Sequence, residues 1–577
     1  MYNFWHYFAQ FLSEDKTGLS FIDRNGQSSF WSYQTLAHKS LQTAHALELA
    51  GIGAGDHVAL VMPNGPDFVR LFLGSMLCEA VPCALYPPLI LGKIDEYLLH
   101  LEKQLGMLKP KVLITIKALK APLYGPLSKL SQEVRLLLPE ECVGTEKLNL
   151  NLSKVRDSGR AAFIQFSSGT TGLTRPAVVT HANLQSNLES ISEGLHVIPG
   201  VDLAVSWLPL YHDMGLVGSF FSALCVKSNV ALIRPEDFLS RPGLWLETIS
   251  KTKATITVAP NFAYGLTAKR VTEEELKNLD LSSLRVALCG AEQVSRETIE
   301  FFIERFRGVG LRPDSLLPVY GMSEATLALT FPKLGRGARF KIFDTKALAI
   351  NQAREAVKGV ALASVGVPVK NVEIKVVDQE GGVLRDQQVG NILARGPAVI
   401  DHYLHAPLEK NDGFFSTGDR GFLSDGELYI AGRAKDILIV RGRNVDAETA
   451  EALLYHFKEL RVGRWAIRAN LAEENYLLAE IRYPLSGDQE ETLKDKIKAR
   501  LLEQLSLPIT HIGFVAPGSL PRTSSGKIQR EKALILYLQG KLRPPKDGFL
   551  SFIVFLFYSL RGFMVFKLGL RRFLMSK

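Results

Sequence analysis

Short apolar runs alternate with longer helix-like stretches through most of the first 430 residues of this 577-residue chain. The runs are HVALVMP (57–63), KVLITI (111–116), AAFIQFSSG (161–169), NVALIRP (229–235), ATITVAP (254–260) and RVALCG (285–290), and helical patterns lie at 34–50, 66–80 and 293–308. Strands that alternate with helices and are apolar on both faces pack as parallel sheets covered by helices, so the pattern predicts an α/β architecture. From about residue 360 the spacing tightens into strand–turn pairs, NVEIKVVDQEGGVL, GNILARG and DGELYIAGRAKDILIVRG, which read as an antiparallel or barrel-like subdomain. After Arg443 a helix near 446–457, strands near 465–481 and a helix at 487–505 predict a small α+β domain. Pro544 and Pro545 stop any preceding helix and mark 541–548 as a linker.

Apolar residues make up 46% of the chain and charged ones 22%, enough for a large core and incompatible with wholesale disorder. The net charge is +9, but Lys541–Lys577 carries +7 of it. The body is therefore nearly neutral, which argues against nucleic acid as a partner. The five cysteines show no C-x-x-C spacing and sit among Leu, Ala and Val, where they read as small buried hydrophobes rather than disulfide or zinc positions. The N-terminal MYNFWHYFAQFLSED has no basic segment and no long apolar run, so no export signal is read and a cytoplasmic location is expected.

Four segments carry chemistry. Phe166-Ser167-Ser168-Gly169-Thr170-Thr171-Gly172 follows an apolar strand, and its glycines and hydroxyls allow close backbone approach to an anion, without Walker spacing. Val319-Tyr320-Gly321-Met322-Ser323-Glu324 sets a carboxylate beside a hydroxyl and a glycine, suited to a magnesium–phosphate contact. Ser416-Thr417-Gly418-Asp419 precedes Gly432-Arg433-Ala434-Lys435-Asp436, and an ionised Asp matches a sugar cis-diol. Leu520-Pro521-Arg522-Thr523-Ser524-Ser525-Gly526-Lys527 presents one lysine after a glycine. Singly, each also reads as a surface turn.

In this order, over about residues 15–540, the segments resemble the adenylate-forming superfamily of acyl-CoA synthetases and luciferase-like enzymes. The strings Trp207-Leu208-Pro209-Leu210-Tyr211-His212-Asp213-Met214-Gly215, Ala259-Pro260-Asn261-Phe262-Ala263-Tyr264, Tyr320 to Leu327 and Ile439-Val440-Arg441-Gly442-Arg443-Asn444 are closest to its fatty acyl-AMP ligase branch. That branch carries an insertion after the tyrosine–glutamate block. Forty-one residues separate Glu324 from Gly366 here, too long for an unstructured connection. The resemblance implies an adenylate-forming N-terminal region at 1–434, with the insertion at about 331–361. A mobile C-terminal domain at 435–540 and a basic apolar tail at 541–577 complete the division.

The activity implied is ATP- and Mg²⁺-dependent conversion of a fatty acid to its acyl-adenylate, followed by transfer to the thiol of an acyl carrier protein or polyketide-type synthase, with coenzyme A disfavoured. By resemblance Ser167, Ser168, Gly169, Thr170, Thr171 and Gly172 cradle the β- and γ-phosphates, with Arg175 adding charge. Glu324 holds the metal, and Ser323 contacts the α-phosphate. Gly290, Ala291 and Glu292 with Tyr320 form the adenine slot, and Gly321 and Met322 are further nucleotide-binding positions. Asp419 accepts from the ribose with Arg433 assisting, Lys527 bridges carboxylate and α-phosphate, Lys435 is the hinge, and His212 guards the acyl entrance. Met214, Phe262 and Tyr264 are candidates for the acyl wall.

Two departures stand out: Arg175-Pro176 where relatives have Lys-Gly, and Gln293 where many have Pro. Within the tail, FLSFIVFLFYSL (549–560) is too short to span a bilayer, and with the basic residues after it reads as an interfacial membrane anchor. A spanning or re-entrant helix and packing on the enzyme's own body are its alternatives. The competing functions are an acyl-CoA synthetase and a membrane-bound nucleotide- or lipid-binding protein without turnover.

Overall fold

The computed structural model describes residues 4–88, 94–145, 158–167, 174–440, 443–470, 474–522 and 527–544. Ser168 to Gly172 of the anion loop and the tail beyond Pro544 lie outside these residues.

Two large sheets form the N-terminal region. In the eight-stranded sheet, Ala161–Phe166 and Val81–Leu85 neighbour one another at the centre, followed outward by His57–Val61, Val112–Thr115 and Arg135–Leu137. In the seven-stranded sheet the order is Leu316–Pro318, Val286–Gly290, Ile256–Pro260, Leu203–Ser206, Asn229–Ile233, Gly18–Ile22 and Ser28–Ser32. All six apolar runs read from the sequence are strands, and all pair in parallel on at least one side. Helices Tyr33–Leu49, Pro66–Leu77 and Arg296–Phe306 start where their ends can be satisfied: Ser32 and Ser295 accept backbone N–H groups, and Pro66 occupies a first-turn position that needs no donor. All five cysteines are buried, as their apolar neighbours suggested.

The antiparallel region begins at Glu373–Val377 and continues through Gly390–Arg395, Phe414–Ser424 and Glu427–Arg433. The insertion packs on it as a built element. Its strands Phe340–Phe343 and Val360–Ala363 pair, and Phe343 lies edge-on to both Phe422 and Tyr429 in a small apolar cluster. Its short helix Thr345–Leu348 reaches the last large helix, Gly487–Leu505, where the Thr345 hydroxyl donates to the Gln504 carbonyl.

After Asp436 the chain forms a hairpin, Ile437–Val440 with Arg443–Asp446, then the sheet Leu460–Ala469, Asn475–Ile481 and His511–Val515, whose buried residues form a core of their own. One buried junction joins the insertion, the antiparallel sheet and this last body. The Arg420 guanidinium donates to the Asn351 side-chain Oδ1 at 2.6 Å and lies 3.4 Å from the Asp446 carboxylate.

Burial pushes the Asp446 carboxyl up to about 6, with Arg420 pulling it back. The folded value lies above that of the unfolded chain, so the folded protein holds the extra proton between the two, and stability gained below the lower value is lost as pH rises through 6. Two pKa units correspond to about 3 kcal/mol. Urea melts between about pH 4 and pH 7 are expected to show this declining component in the wild type and to lack it in Asp446→Asn.

Candidate functional site

Parallel strands direct their carboxyl ends to one side of a sheet, where ligands of α/β proteins bind. Here Ala161–Phe166 ends at Ser167, Val286–Gly290 at Ala291, and Leu316–Pro318 at Val319-Tyr320. These ends open into a cavity of about 850 Å³. Its polar part is completed by Ser416 to Gly418 and Arg433 from the antiparallel sheet and by Lys527 and Arg530 from the last body. Its apolar part is lined by Ile191, Met214, Gly218, Leu327, Ala328 and Phe331.

The turn at Tyr320–Glu324 folds as it does because Gly321 passes hard against the next strand; a Cβ there would lie 2.0 Å from the Leu327 carbonyl oxygen. The turn points Ser323 and Glu324 inward. Ser323 donates to Asp213 at 2.6 Å, and His212 Nδ1 is 2.7 Å from the other Asp213 oxygen. Burial alone would raise Asp213, but His212, Ser323 and the Met214 N–H together hold it down at about 2. Glu324 has the opposite balance: burial raises it, although Tyr403 donates to one of its oxygens at 2.9 Å.

Across the cavity, Tyr320 donates to Asp419 at 2.6 Å, and Arg433 Nε is 3.0 Å from the second Asp419 oxygen. Burial still raises the Asp419 carboxyl against Arg433 and Tyr320. Lys527 is pushed down, by burial first and by Arg433 second, while Asp419, Asp213 and Glu292 support its charge. Lysine and carboxylates from segments more than a hundred residues apart thus share one electrostatic environment.

Of the residues anticipated from the sequence, Ser167, Arg175, His212, Ala291, Tyr320, Gly321, Met322, Ser323, Glu324, Arg433, Lys435 and Lys527 line the cavity. Asp419 lies just behind Tyr320 and Arg433. Glu292 accepts the Phe262 N–H, and Gly290 packs against Val319. Two expectations for the acyl wall do not hold. Tyr264 is fully buried in the core, its hydroxyl on the Leu288 carbonyl, and Phe262 is partly exposed against Trp207. Both sit on the helix Asn261–Arg270, which begins beyond the cavity edge.

Sequence reasoning missed Tyr403, the role of Asp213 and the clamp around Lys435 and Asp436. Arg468 donates to the Lys435 carbonyl and to Asp436, and Arg530 joins Asp436 to Glu451. A buried ion network has no local signature, since its members lie 15 to 94 residues apart. For Asp213 the signal was present in the quoted string and went unused.

Residues 11–404 match the AMP-binding enzyme family. The chain is 32% identical to a Caulobacter vibrioides protein assigned as an acyl-CoA synthetase, over 92% of this chain and 94% of that one. It is 28% identical to the Mycobacterium tuberculosis long-chain-fatty-acid–AMP ligase FadD23, over 91% and 94%. A solved structure from work on fatty acyl-adenylate ligases of E. coli and L. pneumophila superposes with a TM-score of 0.88 at 29% identity, covering 94% of this chain and 98% of its own.

Removing the Ser323 hydroxyl leaves a buried carboxylate short of one donor. Ser323→Ala is expected to lower the unfolding free energy by about 1–3 kcal/mol in urea melts, and most of that loss should vanish when Asp213 is already Asn.

Proposed function

The chain belongs to the AMP-binding enzyme family, and from that premise we propose that it joins a fatty acid to AMP and passes the acyl group to the thiol of a carrier protein. The observation that carries this reading is the cavity in which Lys527, Glu324, an apolar limb and the Tyr320 and Arg433 side chains backed by Asp419 meet. Relatives called fatty-acid–AMP ligase support the adenylating step, while one called acyl-CoA synthetase names the competing acceptor.

In the first step a carboxylate oxygen attacks the α-phosphorus of ATP, the bond to the β-phosphate oxygen breaks, and pyrophosphate leaves. In the second a thiolate attacks the acyl carbon and AMP departs. Bringing a carboxylate onto a triphosphate is opposed chiefly by charge, so the groups asked for are fixed cations and a dry wall. Arg175 and Lys527 supply cations, Lys527 toward the oxygens of the forming bond. Asp419 receives the ribose hydroxyls, held by Tyr320 and Arg433. Ala291 and Tyr320 flank the base. Met214, Gly218, Leu327 and Phe331 offer the chain an apolar limb. Lys435, at the start of the last body, is the hinge.

Among the described residues no three His, Cys, Asp or Glu side chains converge as a metal site. One inward carboxylate, Glu324, fits magnesium that arrives with the triphosphate, since that ion takes only one or two protein carboxylates beside phosphate oxygens. When bound, it would neutralise phosphate charge.

Carrier-protein transfer is favoured over coenzyme A because the insertion is tied to the last body through Thr345 and Gln504. That contact works against the rotation that a second acceptor site needs. The residues after Phe549 extend the reading to a membrane surface, near which a lipid-soluble acid would be captured.

Lys527→Ala is expected to reduce adenylate formation by about 10²-fold or more. Mass spectrometry of products from ATP, a ladder of fatty acids, and either coenzyme A or holo-carrier protein should give acyl carrier; acyl-CoA as the main product would select the synthetase reading. Deleting 546–577 should move the protein from the membrane to the soluble fraction.

A further inference from the structure

The segment after Pro397 connects two parts of the site. Ile400 N–H donates to the Glu324 carbonyl at 2.9 Å, and four residues later Leu404 N–H donates to the Pro176 carbonyl at 2.8 Å. Between them Tyr403 pairs with Ala177 at the edge of the eight-stranded sheet. Its side chain is buried, with its hydroxyl donating to Glu324 Oε1 at 2.9 Å and the Arg175 guanidinium 5.3 Å from its ring centroid. One aromatic residue thus touches both the cation that follows the anion loop and the inward carboxylate, and all three line the same cavity.

We infer that Tyr403 is a positioning residue that fixes Arg175 and Glu324 relative to one another, so that pyrophosphate is held by a cation resting over its ring while the carboxylate keeps a set orientation. The inference rests on the adenylating reading of the site and assigns the pairing that reading leaves open. It also accounts for the local sequence. A guanidinium spreads its charge over a plane and stacks on an aromatic face, whereas an ammonium is a compact, strongly hydrated point charge. Pro176 costs no bond here. It has no N–H to donate, and its carbonyl is the one Leu404 uses.

The two contacts are separable. Tyr403→Phe removes the hydroxyl and keeps the ring; Tyr403→Leu removes both; Arg175→Lys keeps the charge and loses the plane. Fatty-acid-dependent ATP–pyrophosphate exchange and calorimetric titration of inorganic pyrophosphate into the full-length, metal-free protein read them independently. Tyr403→Phe is expected to lower kcat for exchange about tenfold, the scale of one hydrogen bond to a charged group, with pyrophosphate affinity unchanged. Arg175→Lys and Tyr403→Leu should each weaken pyrophosphate binding about three- to tenfold. Tyr403→Leu added to Arg175→Ala should weaken it no further than Arg175→Ala alone.

Losses that multiply in the double variant, or a Tyr403→Phe protein with wild-type kcat, would overturn the inference. So would a Tyr403→Phe protein in which kcat and pyrophosphate affinity fall together with the melting temperature, because that is a structural role. A wild-type protein that shows no exchange would refute the adenylating reading itself, and the pyrophosphate titrations would still decide the Tyr403–Arg175 pairing.

Discussion

Lys527 and Arg433 repel one another across a cavity that burial has already made hostile to charge, and the carboxylates around them make the arrangement tenable. Asp419, Asp213 and Glu292 all support the Lys527 ammonium, and burial works against every member of the set. A buried charge is stable only when paired, so none of these groups can be placed without the others. That requirement reaches back into the fold. Asp213 comes from the chain after one strand of the seven-stranded sheet, Asp419 from the antiparallel sheet, and Lys527 from the body with its own core. Each is delivered by a different hydrophobic unit, and the charges meet only when all are docked. An anion with several phosphates would relieve the repulsion between Lys527 and Arg433, which is the electrostatic sense in which the site suits a nucleotide.

What the sequence disclosed was what periodicity and local chemistry encode. HVALV, VLIT and VALCG are strands because continuous apolar runs of four or five residues can be buried on both faces. Helix Gly487–Leu505 was legible to the residue because a Ser-x-x-Gln capping box and the spacing of Leu493, Ile497, Leu501 and Leu505 mark its start and its inner face. Glu324, Asp419 and Lys527 were legible because each stands in a short string whose neighbours are constrained by backbone approach. Tyr403 was not, since HYLHAP has neither period nor glycine turn. Its importance comes from a strand pairing with residues more than two hundred positions earlier. Phe262 and Tyr264 mislead for the converse reason: a motif string lies near the site, but its helix turns one aromatic ring into the core and the other outward.

The insertion and the hinge show how a local departure becomes a global restraint. Phe343 anchors the insertion through two aromatic contacts, and from that anchor Thr345 reaches the last large helix and Asn351 reaches Arg420. Arg420 in turn faces Asp446, ten residues past Asp436, which both Arg468 and Arg530 grip. The last body is therefore fastened near Asp436 by ion pairs and at its far helix by Thr345. Ion pairs between buried groups favour one geometry over its neighbours more than they add net stability. Rotation about Lys435 would have to break the Arg468 bond to its carbonyl and the Thr345 contact together, so the arrangement that holds Lys527 in the cavity is favoured twice over.

The same logic explains why Arg175-Pro176 is tolerable where a lysine and a glycine are usual. A glycine there would leave the backbone free to approach the anion and would add a donor. Proline removes that donor and stiffens the first residue of its strand, which pairs Phe166 with Pro176. Rigidity at that point is useful only if the preceding cation has somewhere fixed to rest, and Tyr403 supplies the surface. The loop base is closed as well, with Ser167 N–H donating to the Arg175 carbonyl at 2.8 Å and Arg175 N–H to the Ser167 hydroxyl at 3.3 Å. A lysine at this point would be a flexible point charge, whereas Arg175 is a planar guanidinium held beforehand over the Tyr403 ring. Holding the cation in this way moves the entropy of ordering the side chain into folding, where the strand carrying Tyr403 is already in place.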